Sequence, residues 1–105
     1  MAGLRPVAES MYVDFTPLAM DQIANQGAKN RYMFGGKTRV PMVIRTEGGA
    51  GRSIAAHHSQ SLEALWAHFP GIYLVMPSTP YSILCSMNIT GLSLRMAALS
   101  NPLAS

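Results

Sequence analysis

The chain has 105 residues, of which 49% are hydrophobic and only 12% are charged, with a formal charge of +3; that length suits one small domain or part of a larger one, and soluble domains usually have roughly a quarter of their residues charged, so the surface is expected to be covered by other protein. The eight basic residues (Arg5, Lys29, Arg31, Lys37, Arg39, Arg45, Arg52, Arg95) form no run, which argues against a nucleic-acid surface, and the single Cys85 excludes an internal disulfide framework and a multi-cysteine zinc site. No stretch approaches the ~18 apolar residues of a membrane span, and residues 1–25, with Glu9, Asp14 and Asp21, do not read as a signal peptide.

In chain order, Arg5-Pro6 opens an extended segment, because proline fixes its own backbone and biases its neighbour away from helix. PVAESMYV, residues 6–13, reads as a buried strand. Asp14 or Thr16 can cap the following helix, with Pro17 suited to its first turn. Leu18, Ala19, Ile23, Gln26, Ala28 and Tyr32 recur at roughly helical spacing to Met33. Gly35-Gly36 ends this helix where left-handed backbone is wanted.

VPMVIRT, residues 40–46, is a short apolar run of the kind found in buried parallel strands. After a loop, Ser59 or Ser61 can start a second helix, with Leu62, Leu65, Trp66 and Phe69 near one face. Pro70-Gly71 stops it, and IYLVMP, residues 72–77, is a third strand. The order β-α-β-loop-α-β predicts an α/β fold: a three-layer, mostly parallel sheet with flanking helices and right-handed crossovers. Ligand sites in such sheets lie at the carboxyl ends of the strands. The loops after Val13, Arg45 and Met76 are therefore expected on one edge.

The loop GGAGRSIAAHHSQ, residues 48–60, concentrates the polar chemistry. A phosphate loop needs Gly-x-x-x-x-Gly-Lys-Ser/Thr, which is absent, and the dinucleotide fingerprint also fails. A turn needing positive backbone angles is the simpler reading of Gly48, Gly49 and Gly51. Adjacent histidines in extended backbone point opposite ways, so His57 and His58 are not expected to bind one metal ion. His68 lies across a helix from them, at a C-terminus favourable to its charge. A histidine at a strand-end loop can exchange protons near neutral pH; the alternative is one that satisfies loop carbonyls. Cys85 has no histidine nearby in sequence and reads as a buried thiol.

Five segments in register, GLRPVAESMYVDF, MDQIANQGAKNRYMFGG, VPMVIRT, AAHHSQSLEALWAHFPG and VMPSTPY, resemble the beta subunit of thiamine-diphosphate-dependent 2-oxo acid dehydrogenases, of the pyruvate and acetoin dehydrogenase type. The resemblance covers Gly3 to Tyr81. It implies a partial transketolase-like pyrimidine-binding domain over residues 1–81, followed by a divergent tail, 82–105. It further implies thiamine diphosphate bound between subunits of an α2β2 assembly, with the alpha subunit holding the diphosphate and magnesium. Met11 and Phe15 match the residues that line and stack on the aminopyrimidine. His58 matches the histidine of the family's AAQHSQ motif, which contacts the reaction intermediate and helps pass the acyl group to lipoamide; His57 stands where the family usually has glutamine. The implied partners are an alpha subunit, a second beta subunit and the lipoyl domain of the acyltransferase component. No nucleic acid, membrane or metal held by this chain is implied. The implied compartment is the cytoplasm of bacteria or the mitochondrial matrix.

Three departures from the family stand out. The glutamate that activates the aminopyrimidine would precede Met1, so the chain is expected to be truncated at its start and to lack activity alone. Glu47 replaces the family's usual proline and Ser53 its usual glycine. After Tyr81 the family continues roughly as Asp-Ala-Lys-Gly-Leu-Leu, whereas this chain reads SILCSMNITGLSLRMAALSNPLAS. The alternative function is a non-catalytic fragment that docks on an alpha or beta subunit.

Overall fold

The computed structural model describes residues 3–50 and 53–81, and the backbone of residues 94–100. Four strands form one parallel sheet: β1 (Val7–Tyr12), β2 (Val43–Gly48), β3 (Ile72–Val75) and β4 (Leu94–Ser100), in the spatial order β1-β2-β4-β3. The α/β class and the parallel sheet with flanking helices match the sequence expectation. The first three strands lie where the hydrophobic runs predict them, within a few residues at each end. β4 falls in the tail, 82–105, where the sequence predicts no element. It occupies the slot between β2 and β3, with Ile44 and Leu74 both in register with Met96.

The segment after β1 is helical from Val13 to Met33, but in three windings. A 3-10 segment (Val13–Ala19) leads into a π-helix (Asp21–Ala28), and a short α-helix, α1 (Asn30–Met33), ends the run. The winding explains why the predicted face fails. Of the residues expected at 3.6-residue spacing, Ile23 and Ala28 are buried but Leu18, Ala19, Gln26 and Tyr32 are exposed, while Ala24, outside that set, is buried. Ile23 and Ala28 are five apart, the i→i+5 spacing of π winding. Neither Asp14 nor Thr16 caps the run: no side-chain cap is made, and Thr16 instead donates its hydroxyl to the Val13 carbonyl at 2.6 Å. Gly35 and Gly36 end it with φ of +59° and +81°, and the Gly36 N–H reaches back to Arg31 O at 2.8 Å. That is the long backward bond expected of a glycine-terminated helix.

The second helix, α2 (Glu63–Ala67), is shorter than predicted. No serine caps it; Ser59 donates its hydroxyl to Ala55 O at 2.8 Å. Both helical layers pack on the same sheet face. Val13, Ile23, Ala24, Ala28, Ile44 and Trp66 form the core, with Leu62, Phe69, Ile72 and Leu74 against it. The indole N–H of the fully buried Trp66 donates to Thr16 Oγ1 at 2.8 Å, so the largest core side chain leaves no polar atom unpaired. Burying such a donor unpaired would cost about 1–3 kcal/mol.

The opposite face is bare among the described residues. Val7 and Tyr73 are exposed, and Glu9 pairs with Arg45 across β1 and β2 at 2.7 Å with both side chains about half in solvent. An exposed pair of this kind contributes about 0–1 kcal/mol. Parallel sheets normally have both faces covered.

Candidate functional site

The carboxyl ends of β1 and β2 are neighbours, because the two strands are parallel and adjacent. The loops that leave them therefore meet, as the strand order predicts. The register shifts between Ser10 and Tyr12: Ser10 faces Thr46 and Tyr12 faces Glu47, with Met11 as the extra residue. Such bulges bend a strand and re-aim the next side chain. Here the next ring, Tyr12, meets His58.

His58 closes a short 3-10 turn (Ala56–His58). The two histidines are therefore not in extended backbone, and their surroundings differ: His57 is exposed and His58 is half-buried. The imidazole meets two rings edge to face, Tyr12 at 5.0 Å and 89°, and Phe15 at 5.3 Å and 74° between centroids and planes. Its Nδ1 is buried without a hydrogen-bond partner among the described residues. Edge-to-face contacts at this separation fix ring orientation and add to burial.

Gly48 and Gly49 set the start of the loop. A Cβ on Gly48 would lie 2.6 Å from Val13 Cγ1, and Gly49 has φ +95°. Both features belong to a tight turn against the 3-10 segment. Gly51 and Arg52 lie outside the described residues, as does Cys85. Ser53 and Ala55 also adopt positive φ, +54° and +71°. Ser53, which the sequence resemblance sets against a glycine, has the left-handed angle that glycine would take without steric cost.

The loop is pinned at its far end. Asp14 Oδ1 accepts the Gln60 N–H at 3.0 Å, and Gln60 O accepts the Gly49 N–H at 3.0 Å. The second carboxylate oxygen of Asp14 is buried and has no partner among the described residues. From the sequence Asp14 reads only as a helix cap. Its role here depends on a contact 46 residues away in sequence, which no local pattern signals.

Of the three residues singled out from the sequence, the structure brings Phe15 and His58 into contact. Phe15 is 41% exposed and Met11, at the bulge, is 73% exposed. Phe15 also lines a groove of about 500 Å³ between β1, β2 and the helical run, whose walls include Ala8, Ser10, Gln26, Met42 and Ile44. His68 stands at the C-terminal end of α2, edge-on to Phe69 at 5.9 Å. Among the described residues, no three His, Cys, Asp or Glu side chains are grouped to hold a metal ion, and no helix is long and apolar enough to cross a membrane.

A family profile described as the transketolase pyrimidine-binding domain matches residues 1–90. The chain belongs to that family. Its pyrimidine-binding domain is 57% identical over 79 residues to the acetoin:2,6-dichlorophenolindophenol oxidoreductase subunit beta of Cupriavidus necator, covering 75% of this chain and 23% of that protein. The subunit of the same name from Bacillus subtilis gives the same identity and coverage. The pyruvate dehydrogenase E1 component subunit beta-3, chloroplastic, of Arabidopsis thaliana is 48% identical over 82 residues, covering 78% of this chain and 20% of that protein. The chain thus spans about a quarter of these relatives' length or less.

Proposed function

We propose that this pyrimidine-binding domain supplies the aminopyrimidine half of a thiamine-diphosphate site, and an acyl-transfer histidine, to the beta subunit of a pyruvate or acetoin dehydrogenase. The observation that supports this best is the clamped imidazole of His58 beside the half-exposed Phe15. The residues fit the ring half of the cofactor. Phe15 offers an accessible aromatic surface for a flat heterocycle, Met11 offers an exposed thioether at the bulge of β1, and the buried polar atoms of Asp14 and His58 have capacity to spare. When bound, thiamine diphosphate would supply a thiazolium carbanion as the nucleophile for a carbonyl carbon and the ring as the sink for the electron pair of the broken carbon–carbon bond.

The chain's own contribution is binding, orientation and proton handling. Phe15 and Met11 hold the ring. With Nδ1 of His58 buried against the loops, Nε2 is the nitrogen open to exchange a proton or to hydrogen-bond a developing oxyanion. The diphosphate and its magnesium belong to an alpha subunit, and the acyl acceptor is the lipoyl domain of an acyltransferase component. The assembly is α2β2. The compartment is the bacterial cytoplasm or the mitochondrial matrix, and the chloroplast-named relative adds a plastid.

The test is a complete beta subunit in which residues 3–81 of this chain replace the matching segment, assembled with an alpha subunit, thiamine diphosphate and magnesium. Acetoin- or pyruvate-dependent dye reduction is expected from the assembly and none from the 105-residue chain alone. Turnover by the isolated chain, or a dead chimaera that binds cofactor normally, contradicts the proposal. A second reading, docking on another subunit without catalysis, is favoured by the bare sheet face. Co-purification with an alpha subunit without cofactor binding would select it.

A further inference from the structure

We infer that Asp14 is the positioning residue of the histidine loop: its carboxylate latches the strained segment bearing His58 onto the turn after β1, and so sets where the imidazole stands. The inference rests on the proposed role of His58 for its chemical meaning, but its geometry is independent of that role.

The latch ties one end of the loop to Asp14, and that end holds the other. Asp14 Oδ1 takes the Gln60 N–H, and Gln60 O takes the Gly49 N–H. A backbone N–H given to a carboxylate is a charge-assisted bond, stronger than its neutral counterpart. Between the two ends the backbone is under strain. Ala55 has φ +71° and ψ +173°, a combination available almost only to glycine, and Ser53 has φ +54°. Backbone of this kind persists only where its surroundings over-determine it. The local bonds, His58 N–H to Ala55 O at 3.2 Å and Ser59 Oγ to Ala55 O at 2.8 Å, tie the strained residue to the histidine but not to the rest of the protein. That outside tie comes from residues 12–15. Tyr12 and Phe15 contact the imidazole, Val13 lies under Gly48, and Asp14 holds Gln60.

Asp14 makes no direct hydrogen bond to His58; it acts through Gln60, two residues along. If the latch opens, Ala55 relaxes toward negative φ and the ring leaves its seat between Tyr12 and Phe15. The second carboxylate oxygen is buried and unpartnered among the described residues. That desolvation is a cost an exposed helix cap would not incur, and it fits a group held in place for the loop.

The test uses the 105-residue chain and needs no turnover. In Asp14→Ala, carbethoxylation of His58 by diethyl pyrocarbonate, followed by mass spectrometry, is expected to speed up about 10-fold, the ratio for losing a hydrogen bond to a charged acceptor. The exposed His57 should react at its parent rate. Asp14→Asn, which keeps an acceptor oxygen, should return His58 to within about 2-fold of the parent, since a neutral hydrogen bond of the same geometry replaces the charged one. An unchanged His58 rate in Asp14→Ala overturns the inference. So does loss of amide protection across the whole sheet without rescue by Asp14→Asn, because Asp14 would then serve the fold rather than the loop. If Asp14→Ala does not fold but Asp14→Asn does, amide exchange in the unaltered chain decides. Gly49 and Gln60 should be protected, and exchange of both at the open-chain rate overturns the inference. A failure of the proposed catalytic role would appear only in acyl transfer and would leave these readouts as they are.

Discussion

Ala55 and Ser53 hold positive backbone angles without being glycine. Each such residue costs on the order of 1–3 kcal/mol, and the strain lies within five residues of the histidine that the site is built around. Replacing Ala55 by glycine removes the clash between its Cβ and the backbone but lengthens the list of unfolded conformations, which costs about 0.4–1 kcal/mol. The strain exceeds that entropy, so Ala55→Gly is expected to raise the unfolding free energy by about 1 kcal/mol. Urea unfolding followed by Trp66 fluorescence measures this, with the midpoint rising and the slope unchanged. A lower midpoint would mean that Ala55 is at ease in its conformation. The sequence shows Ser53 as a departure from the family's usual glycine and leaves Ala55 unmarked, because alanine is normal in almost any local pattern.

At the scale of elements, the strands were legible and the helices only in part. Three apolar runs, 6–13, 40–46 and 72–77, correspond to β1, β2 and β3 because alternation and short apolar stretches are local signals. The run from Val13 to Met33 was legible as helical, and its end at Gly35-Gly36 was too. Its inward face was not, since a 3.6-residue period describes α winding while this backbone winds as 3-10 and then π. β4 was invisible in the sequence for a different reason. LRMAALS is no more strand-like than its neighbours, and its place between β2 and β3 is decided by long-range pairing. In the site, the family resemblance singles out His58 and Phe15, whose rings the structure brings into contact. Asp14 and Tyr12 were not legible, since each acts on a loop about 46 residues further on.

Gly71 joins two of these elements. It has φ +92°, and a Cβ there would collide with the carbonyl of Ala28 at the end of the π-helix. The approach is backbone on backbone, so no side-chain rotation relieves it. Gly71→Ala is expected to destabilise the chain by more than about 1 kcal/mol, since both the angle and the space are wrong for a side chain. Thermal unfolding followed by circular dichroism checks this; an unchanged midpoint would show that β3 and the helical run can separate at little cost.

For the whole molecule, one sheet face is packed under helices and the other is open among the described residues. The low charged fraction points the same way, toward surfaces that other protein covers. This pyrimidine-binding domain is proposed to hold half of a site, with the other half coming from an alpha subunit. His58, seated between Tyr12 and Phe15, is proposed to pass the acyl group onward. The decisive measurement is His58→Ala in a complete beta subunit carrying this loop, assembled with its alpha subunit and followed by single-turnover acylation of a lipoyl domain. The rate should fall by about 100-fold or more, the usual loss for a positioned proton-transfer group, with cofactor binding intact. Acylation at the parent rate would contradict the account.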